Sequence, residues 1–529
     1  MADPKETCLE HLVVIMFENR SFDNLLGYLY LPGEAKSFEG VQDQTPSNPV
    51  PASVRGPGPD GVSVHESTSF ASPYPDPGEE YPHVNTQLFG SVDPESNADA
   101  TIDAMQPPFN APVPGRAPSP SMDGFVRDYV NTFTVEMRRP PRPTEYSQIM
   151  ACYTPAQVPV LSALARNFAC FDHWFCEVPS QTYANRSFFH AATSSGFVLN
   201  GHPAGKFTLE NDARTVFNQL EEAGRTWCVY IDPLQMVSAT GLIHARQLDR
   251  FFPTHFRTIY DFYHEARRGE LPNYAFIEPN MFHPHTDMHP HSGARWAEDL
   301  GLRPPDTLIG GERLLSDVYR AIADLPTAGD SNWTNTSLLV TFDEHGGTYD
   351  HVAPPVAVPP DSKSGEEGFG FDRLGVRVPT IVVSAWVGPE SVVTSNFRAT
   401  SVIRTLRDWW RLGPSLTARD ADAPSLLSVL SRTDPRPPSE WPEVHPREPG
   451  MGERLEEEFR RLVDAHESPM EKLERDLLGD ALFHESRVTG NPIKADPDEV
   501  SHREAHDHFR RIGANIFPSV AKGRQSSSG

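Results

Sequence analysis

Leu12-Val13-Val14-Ile15-Met16, running through Phe17 into Glu18-Asn19-Arg20-Ser21-Phe22-Asp23, is the stretch on which the fold turns. The short apolar run reads as a buried strand, and an acid and an amide follow at once. The same design recurs where Leu338-Leu339-Val340-Thr341-Phe342 runs into Asp343-Glu344-His345-Gly346-Gly347. Both signatures therefore place hard oxygen donors at the carboxyl ends of strands, the edge at which open α/β sheets bind ligands. Glu18, Asn19, Asp343 and Glu344 make an all-oxygen set suited to a divalent cation, and a cation in such a place points to phosphate or ester chemistry.

Working outward, further strands are expected at Trp227–Ile231, Tyr274–Ile277 and Pro379–Val383, separated by helical or irregular segments. Leu161, Leu164, Ala165 and Phe168 repeat at helical spacing over Pro159–Phe168, as do Leu314, Leu315, Val318 and Ile322 over Glu312–Leu325. This scatter favours one large α/β unit over residues 1–435. Within it, residues 32–120 are rich in turn signals such as Pro73-Tyr74-Pro75-Asp76-Pro77-Gly78, yet keep Phe70, Tyr74, Tyr81 and Phe89. An ordered insertion covering the site is expected there, and His83 lies in it. Residues 436–529 read as a charged helical extension. Its apolar stripes, Leu455, Phe459, Leu462 and Val463, then Leu473, Leu477 and Leu478, are fit to dock on the main body or on a second copy. Homo-oligomerisation through these helices is the expectation.

The net charge of −26, from 72 acidic against 46 basic residues, opposes nucleic-acid binding, which needs cationic side chains to neutralise phosphates. It opposes electrostatic adsorption to anionic lipid as well, leaving transient contact with a zwitterionic surface open. Five cysteines at irregular spacings do not make a disulfide scaffold. With no basic segment leading a long apolar stretch, the chain is expected to be cytoplasmic as encoded, or exported without a classical signal peptide.

Candidates for the remaining chemistry cluster in three places. In Val178-Pro179-Ser180-Gln181-Thr182-Tyr183-Ala184-Asn185-Arg186, hydroxyls precede an amide and a guanidinium able to pair with phosphate. Chemistry alone does not separate Ser180 from Thr182 as nucleophile. Four imidazoles and a carboxylate crowd into His283-Pro284-His285-Thr286-Asp287-Met288-His289-Pro290-His291. Asp350 and His351 form a further acid–imidazole pair, with Asp350 expected to orient His351 for proton transfer.

These motifs together resemble the phosphoesterase family that contains bacterial phosphatidylcholine-preferring phospholipases C, plant non-specific phospholipases C and related bacterial acid phosphatases. The resemblance runs through most of residues 10–430. It rests on Glu18 to Asp23, Met122-Asp123-Gly124-Phe125, the segment ending at Arg186, Ala192-Thr193-Ser194-Ser195-Gly196, Asp287 to Pro290, and Asp343 to Pro355. It implies an alkaline-phosphatase-like α/β/α sandwich and a phosphorylated-enzyme mechanism with Thr182 as nucleophile. Glu18, Asn19, Asp343 and Glu344, completed by Thr182, would hold one divalent metal ion, Ca2+ ahead of Mg2+ or Zn2+. His289 and His351 would be catalytic, and Asn185, Arg186, Asp287 and His83 substrate-binding. The implied activity is hydrolysis of phospholipid to diacylglycerol and a phosphorylated headgroup. A broad acid phosphatase and a weakly active scaffold protein are the alternatives. The chain departs from the family at Ala184, usually proline, and at Arg398-Ala399, where an acid and a histidine usually stand.

Overall fold

The computed structural model describes residues 8–34, 37–56, 59–70, 72–112, 119–201, 205–282, 285–290, 307–448, 472–493, 495–497 and 500–520. Its centre is an eight-stranded sheet. In chain order the strands are β1 (His11–Phe17), β2 (Ala169–Phe171), β3 (Trp227–Ile231), β4 (Phe256–Thr258), β5 (Tyr274–Glu278), β6 (Thr336–Phe342), β7 (Thr380–Val383) and β8 (Ser391–Val393). They lie in the order β8-β2-β7-β6-β1-β5-β3-β4, and only β7 runs against the rest. Every residue of β1 and of β6 is buried. Because successive side chains point to opposite faces, the sheet is covered on both sides there, which is why these strands read as unbroken apolar runs.

The helices that matter here are α1 (Phe22–Leu26), α2 (Tyr81–Phe89), α3 (Phe125–Met137), α4 (Pro159–Asn167), α5 (Thr182–Ala191), α6 (Ile259–Arg268), α7 (Thr307–Ala323), α8 (Thr400–Trp410), α9 (Lys472–Thr489) and α10 (His502–Ile516). The five expected strands are present. The sequence reading did not anticipate β2, β4 and β8, three residues each.

The proline-rich insertion contributes Val41, Val50, Val64, Val84 and Leu88 to a second apolar cluster whose other members lie outside it. Val84 and Leu88 of α2 pack there with Phe125, Val126 and Tyr129 of α3. In the extension, Leu473, Leu477 and Leu478 of α9 are buried in the main core of this same chain, and Phe517 packs at a tilt against Phe252 with ring centroids 4.5 Å apart. Burial of a leucine contributes roughly 1.5–3 kcal/mol, ample for that stripe to dock internally. Leu455, Phe459, Leu462 and Val463 lie outside the described residues. Among the described residues, no helix is long and apolar enough to cross a membrane.

Candidate functional site

Register builds the site. Phe17 at the end of β1 pairs with Phe342 at the end of β6, so the chain leaves both strands side by side and Glu18 and Asp343 emerge as neighbours. Asn19 takes a left-handed backbone conformation, φ 54°, and its N–H donates to Asp343 Oδ1 at 3.2 Å. Gly346 packs beneath it: a Cβ there would stand 2.2 Å from the Asn19 carbonyl oxygen, and its own φ is 57°. Space and backbone both require glycine.

Thr182 opens α5, with Gln181 as its N-cap, so its hydroxyl stands at the positive end of a helix. That hydroxyl donates to Glu18 Oε2 at 3.2 Å. The Ser180 hydroxyl is committed to the Val198 carbonyl at 2.8 Å. One turn beyond Thr182, the fully buried Arg186 donates to Glu18 Oε1 at 2.5 Å and places Nε 3.4 Å from Asp343 Oδ2. Burial opposes its charge, but Glu18 and Asp343 outweigh burial and hold the guanidinium protonated. Asn185 faces inward: its carboxamide accepts from Val178 N and donates to the carbonyls of Val178, Ser180 and Gln181, which fixes the loop carrying Thr182.

The oxygen set has spare capacity. Asn19 Oδ1, Asp343 Oδ2 and Glu344 Oε1 are buried without a hydrogen-bond partner. Orphaned buried oxygens are costly and rare, and three on adjoining loops fit a cation ligated by hard donors. Burial pushes the Glu18 carboxyl well above its ordinary value; Arg186 resists this and Asp343 adds to it. Burial, then Glu79 and Asp343, does the same to Glu344. Positive charge placed here would relieve both carboxylates.

His289 joins this group. Its Nε2 lies 2.8 Å from Asn19 Nδ2, its Nδ1 hydrogen-bonds the Pro290 carbonyl, and its N–H donates to Asp287 Oδ1 at 3.3 Å. Asp287 holds the His285 ring at 3.2 Å, and its carbonyl accepts from Glu18 N at 2.8 Å. His283 and His291 lie outside the described residues. Sequence reasoning missed Glu79, which accepts from Asn19 Nδ2 and, at 3.2 Å, from Gln181 Nε2.

Two predicted histidines sit elsewhere. His83 Nδ1 pairs with Asp128 Oδ1 at 2.8 Å. Burial opposes its charge, and Asp128 overrides this to raise its pKa. The other Asp128 oxygen accepts from Gln87 Nε2 at 2.8 Å, and Gln87 Oε1 meets His345 Nε2 at 2.7 Å, so His83 reaches the acidic loop through a relay. His351 is oriented by Asp23, not by Asp350 as expected. Its Nδ1 donates to Asp23 Oδ2 at 2.6 Å, while Asp350 Oδ1 accepts from Arg377 Nε at 2.9 Å. Glu39 and Gln44 face its other nitrogen at 3.2 and 2.9 Å. Burial lowers its pKa, but Asp23 reverses this and raises it to about 9.

Asp23, Asp350 and His351 do bring ligand atoms within 4.8 Å of one another, as do Asp76, Glu79 and His289. In the first group Arg377 already pairs with both carboxylates, each at 2.9 Å. At the position where the family resemblance led to an acid and a histidine, Arg398 donates to Asp422 Oδ2 at 2.8 Å and to the Arg419 carbonyl at 3.1 Å, a packing role.

A site of hard oxygen donors, a hydroxyl on a helix N-terminus and a buried arginine, at the carboxyl edge of a mostly parallel sheet, belongs to the chemistry of phosphoric esters. The chain belongs to the Phosphoesterase family, whose model matches residues 9–413, and is a phosphoric ester hydrolase. Non-specific phospholipase C3 of Arabidopsis thaliana is 32% identical over 476 residues, covering 86% of this chain and 80% of the relative. Phospholipase C B of Mycobacterium tuberculosis is 27% identical over 483 residues, covering 83% and 81%. Among solved structures, the phosphonate monoester hydrolase of Silicibacter pomeroyi aligns with a TM-score of 0.29 at 14% identity over 56% of this chain and 77% of that one, too distant to bear on the assignment.

Proposed function

We propose that the chain is a metal-dependent phosphodiesterase of the phospholipase C type on an alkaline-phosphatase-like fold. It would cleave phospholipid, phosphatidylcholine foremost, to diacylglycerol and a phosphorylated headgroup through a phosphothreonine at Thr182. The observation that carries this reading is the Thr182 hydroxyl hydrogen-bonded to Glu18, beside Arg186 and the buried oxygens of Asn19, Asp343 and Glu344 that accept no hydrogen bond. The phospholipase C names of the plant and mycobacterial relatives support the substrate class.

A divalent cation held by Asn19, Asp343 and Glu344, with Glu18 and Thr182, would supply Lewis acidity that withdraws charge from the phosphoryl oxygens and acidifies the hydroxyl. Glu18 takes the Thr182 proton as Oγ1 attacks phosphorus. The Oγ1–P bond forms as the P–O bond to diacylglycerol breaks, and His289, the imidazole that touches Asn19, protonates the departing oxygen. Arg186 turns its charge to the phosphoryl oxygens. Water then attacks phosphorus and returns a proton to His289; the Oγ1–P bond breaks and Thr182 recovers its proton from Glu18.

The test compares wild type, Thr182→Ala and Thr182→Ser, each stripped with chelator and reloaded with Ca2+ or Mg2+, on phosphatidylcholine and on p-nitrophenyl phosphate. Thr182→Ala is expected to lose at least ~10³-fold in kcat, with Thr182→Ser keeping part of the rate, as for removal of other enzymic nucleophiles. Turnover of Thr182→Ala at the wild-type rate eliminates the mechanism. Nitrophenol without diacylglycerol moves the assignment to a phosphomonoesterase, and cation binding with neither activity moves it to a scaffold.

A further inference from the structure

The insertion reaches into the site through one short stretch. Gly347, in the acidic loop, lies so near that a Cβ on it would stand 2.5 Å from the Gly78 carbonyl oxygen, and Gln87 Nε2 donates to that same oxygen at 2.7 Å. This contact delivers the next residue, Glu79, into the interior, where it is 6% exposed. Its carboxylate bridges two elements of the candidate centre: Oε2 accepts from Asn19 Nδ2, and Oε1 accepts from Gln181, the N-cap of α5. Asp76 follows the same course, with Oδ1 4.0 Å from His289 Nδ1. Lys472 of α9 faces this group and is paired to Glu80.

A buried carboxylate set against an amide whose own oxygen is unpartnered calls for a positive charge between them. His289, whose nitrogens meet Asn19 and the Pro290 carbonyl, is the proton carrier of the reading above and is not counted among the donors to the cation. Asn19, Asp343 and Glu344, with Glu18 and Thr182, supply about five donors, fewer than the six to eight oxygens that Ca2+ takes.

We propose that Glu79 is a member of the cation site, delivered by the proline-rich insertion, so that cation binding fastens the insertion over the catalytic loops. This rests on the cation reading given above. It assigns to the insertion a role beyond covering the site, because one of its carboxylates is then part of what holds the ion.

The test uses the full chain, titrated calorimetrically with Ca2+ after chelation, with amide hydrogen exchange of residues 75–90 as a second readout. Glu79→Gln is expected to weaken Ca2+ binding at least about tenfold, the range over which supporting groups tune metal sites. Ca2+ should slow exchange across residues 75–90 in wild type and not in the variant. Glu79→Asp keeps the charge and shortens its reach, and should also bind more weakly; it decides the matter if Glu79→Gln is unfolded before Ca2+ is added. Asp343→Asn separates the two levels. If Asp343→Asn abolishes binding while both Glu79 variants bind Ca2+ within twofold of wild type, the role of Glu79 is refuted and the cation site stands. If Asp343→Asn binds normally, the cation site falls, and the role of Glu79 with it.

Discussion

Acid should loosen the helix that carries Thr182, and one buried side chain sets the size of the loss. His190 of α5 and His244 are fully buried with ring centroids 6.0 Å apart, immediately behind Arg186. Neither nitrogen of His244 has a hydrogen-bond partner of good geometry, though the Arg186 backbone lies near. Burial lowers its pKa from 6.5 to about 3, against slight opposition from the Arg186 backbone; burial and His244 push His190 well below its ordinary value too. Above pH 6.5 His244 is neutral in both folded and unfolded chains and contributes nothing to pH dependence. As pH falls from 6.5 toward 3, only the unfolded chain takes up the proton, so stability drops by about 1.4 kcal/mol per unit. Over the 2.5 units to pH 4 that amounts to about 3 kcal/mol, a large part of the stability of an ordinary domain. The perturbation is His244→Phe, which keeps an aromatic ring and cannot titrate. Urea unfolding at pH 7 and pH 4, followed by tryptophan fluorescence, should show wild type losing about 3 kcal/mol more than the variant. A gap between the two proteins that is the same at both pH values would refute the reasoning. The same physics bears on function: a helix that carries Thr182 and rests on two unprotonated imidazoles favours work near neutrality, so a sharply acidic activity optimum would count against the phospholipase reading and for the acid phosphatase.

His351 should give the opposite slope. Raised to about 9 by Asp23, it stabilises the fold fully below pH 6.5, and that contribution is lost as pH rises through 9; His351→Gln should flatten the alkaline limb of a stability–pH curve while leaving the acid limb intact. Gly346→Ala meets both the Asn19 carbonyl and a left-handed backbone, which costs a non-glycine residue about 1–2 kcal/mol before any clash is counted. It should lower the melting temperature and displace Asn19, weakening Ca2+ binding by calorimetry; unchanged affinity would show that Asn19 does not depend on this packing.

What could be read from the sequence follows from how each residue is held. Glu18 and Asp343 were legible because each follows an all-buried strand whose end fixes its direction; that they are neighbours depends on the pairing of Phe17 with Phe342, which no local pattern encodes. Three-residue strands such as β2 and β8 are too short to establish a period of two, and their place in the sheet is set by pairing across more than two hundred residues of chain. The pairing of Asp350 with His351 failed for a geometric reason: Arg377 drew the carboxylate away while Asp23, in α1, took the imidazole. Glu79 was hidden more thoroughly. Its neighbours Pro75-Asp76-Pro77-Gly78 are turn formers and read only as loop, yet the turn they make is what carries Glu79 inward to Asn19 and Gln181. Insertions rich in proline and glycine are therefore places where a lone buried carboxylate is worth seeking, because the chain has fixed its backbone at an entropic advantage and a charge held inside it needs a partner. On this chain the proposed ion would be reached from the sheet by Asp343 and from the insertion by Glu79, and the two substitutions measured side by side decide whether both hold it.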